Sequence, residues 1–186
     1  MKTEICVIGD EVESVLTAVS AARHGAKVVL IRESTDWLGG LSTRGGLAYM
    51  DITPELTSPL FQEFLDKAGV VRVALEPVRA DQALKQMLEE TGVQIVEGVT
   101  VQPDVDTEKP ANSLLLSNGD VIETQVTIDA TPDVDVARQL SIPYIVGMGN
   151  LFGSETNFLG VSPVFRIQGV HYLDMMAFEE KLRSRA

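Results

Sequence analysis

Residues 4–31 constrain the fold more than any other part of the chain. Glu4 to Ile8 is a short apolar run ending at Gly9, the pattern of a strand buried on both faces. From Glu11 to His24 the apolar period lengthens, and Val12, Val15, Leu16, Val19 and Ala22 share one helical face. Ala18, Ala21 and Ala22 are small enough for that helix to lie close against a sheet. Gly25 stands where helices stop, and Ala26 to Ile31 is a second buried strand. A strand, a crossover helix and a second strand predict a parallel pair. The expected class is therefore α/β: three layers around a central parallel sheet.

The remaining segments fill in that frame. Asp36 to Thr53 is rich in glycine and polar residues and reads as an ordered functional loop with a short helix. Helices are expected at Pro59–Ala68 and Ala80–Thr91, with Gly69 and Gly92 just past their ends. From Val93 the pattern becomes strand-like, at Val93–Val96, Val99–Val101, Ser113–Ser117, Val121–Gln125 and Val126–Ala130. Asn118-Gly119 is a strong hairpin signal, so a small antiparallel sheet should pack near the main one. Pro103 to Asn112 reads as an exposed turn, Gly147 to Gly153 as a loop, Ser162–Val170 as a strand and Leu173–Arg183 as a helix. This divides the chain into a Rossmann-like domain over 1–144, with a helical insertion at about 54–91, and the start of a further region over 145–186. The last helix has an apolar face and no later strand to cover it. A further C-terminal region or a partner chain is the expected cover.

Composition narrows the function classes. The chain has 186 residues, 45% of them hydrophobic, enough for a full core. Its formal net charge of −12 repels nucleic-acid phosphates and anionic lipid heads, so neither partner is expected. The one cysteine, Cys6, lies inside a predicted strand and reads as a small buried hydrophobe. No intrachain disulfide is possible, and no metal site is expected. The sequence shows neither a signal-peptide pattern nor an apolar run of membrane-spanning length, and a cytoplasmic location is expected.

The turn after the first strand carries the chemistry. A dinucleotide-binding loop reads Gly-x-Gly-x-x-Gly: the first glycine makes the turn, the second lets a pyrophosphate approach, and the third lets the helix pack on the strand. Here the six positions are Gly9-Asp10-Glu11-Val12-Glu13-Ser14. Gly9 is kept and Ser14 is small, but Glu11 places a carboxylate where phosphate oxygens belong. Two readings follow. Asp10, Glu11 and Glu13 could bond the first N–H groups of the helix and fill the anion site themselves. Alternatively, the loop still holds a dinucleotide. At the end of the second strand, where an acid grips the ribose, stands Arg32, which accepts no hydrogen bond but could meet a phosphate. Glu33 could supply the acid if the chain bends by one residue. Arg44, among the glycines, is either an anion contact or a surface arginine. His24 suits the C-terminal end of its helix, and no nucleophile–base pair stands out.

Taken together, the Gly9 loop, the run Gly25-Ala26-Lys27-Val28-Val29-Leu30-Ile31 and the segment Trp37-Leu38-Gly39-Gly40 resemble the FAD-dependent oxidoreductases of the glutathione-reductase-like superfamily. Gly39-Gly40-Leu41-Ser42-Thr43-Arg44-Gly45-Gly46 is similar to the loop that runs along the flavin dinucleotide in that group. Ile128-Asp129-Ala130-Thr131-Pro132-Asp133-Val134-Asp135 is similar to a second FAD-contacting motif, Asp-Ala-Thr-Gly-Asp-Gly-Asp, with Pro132 and Val134 in place of two glycines. The resemblance covers most of residues 4–144. It implies FAD as cofactor and hydride or electron transfer as activity. The contacts it implies are Gly9, Ser14, Glu33, Gly39, Gly40, Ser42, Thr43, Arg44, Val101 and Thr131, with Val101 meeting adenine through its backbone. Trp37 then either packs against the sheet or touches the flavin. The catalytic residues, the substrate and the redox partner stay open. The alternative is a flavin-free relative, a pseudoenzyme serving as a binding or assembly module.

Overall fold

The computed structural model describes residues 1–50, 58–102, 113–147, 164 and 168–184. The predicted strand–helix–strand unit is β1 (Ile5–Ile8), α1 (Val12–Arg23) and β2 (Val28–Arg32). β1 and β2 are parallel, in register from Ile5 opposite Val28 to Ile8 opposite Ile31. β3 (Gln94–Glu97) adds in parallel outside β2, and β7 (Val126–Asp129) in parallel outside β1, giving the order β3-β2-β1-β7. A second sheet is antiparallel and runs β4 (Val101–Gln102), β5 (Ser113–Leu116), β6 (Val121–Glu123). Its β5–β6 hairpin turns at Asn118-Gly119 as the sequence predicts.

The alternation of side chains along the strands sorts the core into two halves. Val7, Val28 and Leu30 face one way and pack under α1, α2 (Pro59–Ala68) and α3 (Pro77–Thr91), with Phe64, Leu84 and Met87 wholly buried between them. Cys6, Ile8, Val29 and Ile31 face the other way, against Val101, Leu114, Leu116 and Ile122 of the antiparallel sheet and Val136 of α4 (Asp135–Gln139). Helices, parallel sheet and small antiparallel sheet are the three expected layers. Cys6 is fully buried, and burial pushes its thiol up to about 12, so it serves packing rather than redox chemistry.

Some boundaries differ from the sequence reading. α3 begins at Pro77, not Ala80, because Glu76 accepts from the Arg79 N–H at 2.8 Å and proline supplies the first helical residue. β6 stops at Glu123 because Gln125 and Val126 both turn their N–H groups to the Glu4 carbonyl. Of the expected strand Ser162–Val170, residues 168–170 are not strand, and Gly169 is left-handed there. The rest of that segment apart from Val164, the turn Pro103–Asn112, and most of the loop Gly147–Gly153 lie outside the described residues. The final helix, α5, spans Tyr172–Arg183 and leaves Tyr172, Leu173 and Phe178 exposed. Among the described residues no helix is long and apolar enough to cross a membrane. No group of three or more His, Cys, Asp or Glu among them could hold a metal ion.

Candidate functional site

Parallel strands bring their C-terminal ends, and the loops that follow them, to one edge of the sheet. Here that edge holds a groove of about 520 Å³. Its walls come from the loop after β1, the end of β2, the stretch Val99–Val101, and the loop after β7. Of the predicted residues, Gly9, Glu33, Arg44, Val101 and Thr131 line it. Pro132 and Asp135 of the second motif line it as well, and so do Ser34, Thr100 and Gln139, which escaped the sequence reading.

Arg32, the last residue of β2, does not line the groove, and its side chain is only 2% exposed. Its Nη2 donates to the carbonyls of Asp36 (2.7 Å) and Trp37 (3.2 Å). Its Nε lies 2.8 Å from Asp10 Oδ1. The N–H there is not aimed at the oxygen, so this contact is an ion pair without a hydrogen bond. A weaker bond runs from Nη1 to Glu97 at 3.4 Å. The phosphate contact expected of Arg32 is thereby corrected: the guanidinium is spent on the fold. With Arg32 turned inward, Glu33 and Ser34 take its place on the groove wall.

Asp10 is held from both sides, by Arg32 and by Arg44, whose Nη1 donates to Oδ2 at 3.0 Å. Glu11 goes elsewhere. Both its carboxylate oxygens accept from the Leu41 N–H, at 3.0 and 2.9 Å. It lies against Gly40, where a Cβ would overlap the carboxylate. Gly40 also adopts φ +42°, a conformation that favours glycine. No side chain caps α1, so the expectation that Asp10, Glu11 and Glu13 bond the first N–H groups of that helix is corrected. The acids reach across to the glycine loop and to arginines instead. Burial pushes the Glu11 carboxyl above the ordinary carboxylate range. The Leu41 N–H draws it down, Glu13 and Asp10 push it up, and Arg44 draws it down.

Other predicted residues support the groove from behind. Ser14 is fully buried and donates to the Ala130 carbonyl at 2.9 Å, tying α1 to the end of β7. A Cβ on Gly9 would overlap both Ser14 Oγ and that carbonyl. Thr43, also buried, donates to the Leu38 carbonyl at 2.6 Å. Gly39, Gly40 and Ser42 form the short turn that presents the Leu41 N–H. Trp37 does not pack into the core: it is 41% exposed and lines a smaller cleft of about 290 Å³ with Thr43, Gly46 and Val78. Arg44 borders both cavities.

The loop after β7 has its own hub. Asp129 accepts from the N–H (3.0 Å) and hydroxyl (2.7 Å) of Thr131 and from the Ala137 N–H (2.8 Å). The Thr131 hydroxyl also receives the Asp135 N–H at 2.8 Å. Val134, one of the two replaced glycines, is left-handed at φ 50°.

This geometry can be set beside known proteins. The sequence profile of a family described as FAD dependent oxidoreductase matches residues 4–186. No curated protein matches the sequence. Among solved structures, L-proline dehydrogenase from P. horikoshii superposes with a TM-score of 0.58 at 13% identity, over 77% of this chain and 57% of that one. THI4 of Thermovibrio ammonificans gives 0.55 at 16% identity, over 78% and 66%. A flavoprotein/dehydrogenase from Cytophaga hutchinsonii gives 0.55 at 16%, over 79% and 44%. At these identities the likeness is one of fold, and the chain covers less than two thirds of each of these structures.

Proposed function

The chain belongs to the FAD dependent oxidoreductase family, and from that premise we propose that its groove takes the adenosine diphosphate part of FAD, in a protein that passes hydride or electrons through the flavin. FAD is the cofactor that the family membership supports, as the sequence resemblance implied. The residues present fit such a ligand. Val99 and Val101 offer an apolar wall for a base, and Glu33 offers an acceptor for ribose hydroxyls. The Leu41 N–H and Arg44 are a donor set suited to phosphate oxygens. Bound FAD supplies the redox chemistry itself, so the chain's own residues need only bind, orient and shield it. The observation that carries this reading is the placement of the groove at the carboxyl ends of β1, β2 and β7, beside the glycine loop.

Glu11 opposes it. A carboxylate about 4 Å from a phosphate in a partly screened site repels by roughly 4 kcal/mol. Removing it should therefore help. Titrating FAD into wild type and Glu11→Gly, followed by flavin fluorescence, should show weak binding to wild type. Glu11→Gly should bind ~10- to 1000-fold more tightly, matching a relief of roughly 1.5–4 kcal/mol. If neither protein takes up FAD, the reading fails. The second reading, a flavin-free binding or assembly module, is favoured by the fact that Asp10, Glu11 and Arg32 are all partnered within the fold. That outcome of the titration is what it expects.

A further inference from the structure

The Glu11 carboxylate holds a position that another anion would need. It takes the Leu41 N–H with both oxygens and uses the space left by the missing Cβ of Gly40. The groove beside it remains open at about 520 Å³, so the carboxylate blocks a single seat and not the whole cavity. We propose that Glu11 is a proton-operated gate on this groove: ionised, it keeps the seat on Leu41 and turns a diphosphate away; protonated, it yields the N–H and carries no repelling charge. This rests on the reading of the groove as a FAD site and adds its regulation.

The charges around Glu11 are arranged to make the gate work. Burial does most to disfavour its ionised form and the Leu41 N–H favours that form; Glu13 on α1 and Asp10 on the preceding turn disfavour it, and Arg44 from the glycine loop favours it. Arg32 lies behind Asp10, forms an ion pair with it and donates to the backbone carbonyls of residues 36 and 37. Arg44 is shared with Asp10 and so only partly offsets the two acids. The balance, led by burial, raises the carboxyl above its ordinary range. The carboxyl thus holds its proton to higher pH than a solvated glutamate. A diphosphate brings more negative charge to the seat, which raises Glu11 further. Binding then takes up a proton.

The test is FAD affinity as a function of pH, measured calorimetrically on the full chain in two buffers of different ionisation enthalpy. Wild type should lose up to about tenfold in affinity per pH unit above the Glu11 titration, the limit for one linked proton. It should take up a fraction of one proton per FAD bound. Glu11→Gln, with the same shape and no charge, should bind with affinity independent of pH and take up no proton at this site. The buffer comparison on wild type alone decides the matter even if that variant folds poorly. Adenosine, which lacks phosphate, should bind wild type equally at all these pH values. FAD binding to wild type that is independent of pH, with no proton uptake, would overturn the gate and leave the FAD site standing. The same pH dependence for adenosine would also overturn it. No FAD binding to either protein at any pH would remove both the site and its gate.

Discussion

The loops after β1 and β7 both depart from glycine where the family's motifs have it, and they absorb the change in opposite ways. At the first, Glu11 replaces a glycine, and the cost is met by a second glycine across the loop. Gly40 makes room and the Leu41 N–H supplies a partner. Beside it, Asp10 is held by Arg32 and by Arg44. At the second, Val134 stands where the motif has glycine and is left-handed at φ 50°, a conformation that favours glycine. A β-branched residue is a genuine outlier there, at a cost of roughly 1–2 kcal/mol. Asp129, with three bonds to the loop and to α4, holds the strained backbone in place. The first loop gives its unusual residue room and a partner. The second stores strain.

That contrast can be broken at either end. The largest effect is expected at Arg32. Arg32→Ala removes an almost fully buried guanidinium from Asp10 and from two carbonyls, and should cost about 3–5 kcal/mol of stability by denaturant unfolding. A loss below about 1 kcal/mol would mean that the network is ornamental. Asp129→Ala should cost about 2–3 kcal/mol by the same measurement, since it orphans donors on Thr131 and Ala137. Val134→Gly has the opposite sign. It should stabilise by roughly 1 kcal/mol, the relief of strain exceeding the added freedom of the unfolded chain. That is a rise in Tm of about 2–4 °C by calorimetry. A destabilised Val134→Gly would show that the side chain contributes more than its conformation costs.

A smaller effect concerns pH. The Glu11 carboxyl is raised in the folded chain, so the fold holds this proton to higher pH than the unfolded chain does. Its contribution to stability is full below the ordinary carboxylate value and is lost as pH rises through the raised one. Unfolding curves across that window should slope downward for wild type, and less so for Glu11→Gln.

How much of this was legible in the sequence follows from the range of the interactions. The strand–helix–strand unit and the Asn118-Gly119 hairpin are set by local period and turn chemistry, and the structure places them as read. The groove could be located because strand ends determine it. The wiring inside it could not. Glu11 meets a backbone N–H thirty positions away, and nothing local marks that pairing. The acids therefore read as helix caps, the commonest local role for carboxylates at a helix start. Arg32 reads in the sequence as a residue able to meet a phosphate; its partners, Asp10 and the carbonyls of residues 36 and 37, meet only in the fold. The start of α3 was missed because the cap is Glu76, outside the usual set of capping residues.

The central claim is that the Glu11 carboxylate occupies the seat on Leu41. The direct measurement is an NMR titration of the ligand-free chain, following the Leu41 amide proton and the Glu11 side-chain carboxyl carbon together. The account predicts that the two signals move with one midpoint, above the ordinary glutamate value of about 4.3. In Glu11→Gln the Leu41 movement should disappear. A Leu41 amide that stays flat while Glu11 titrates would contradict it.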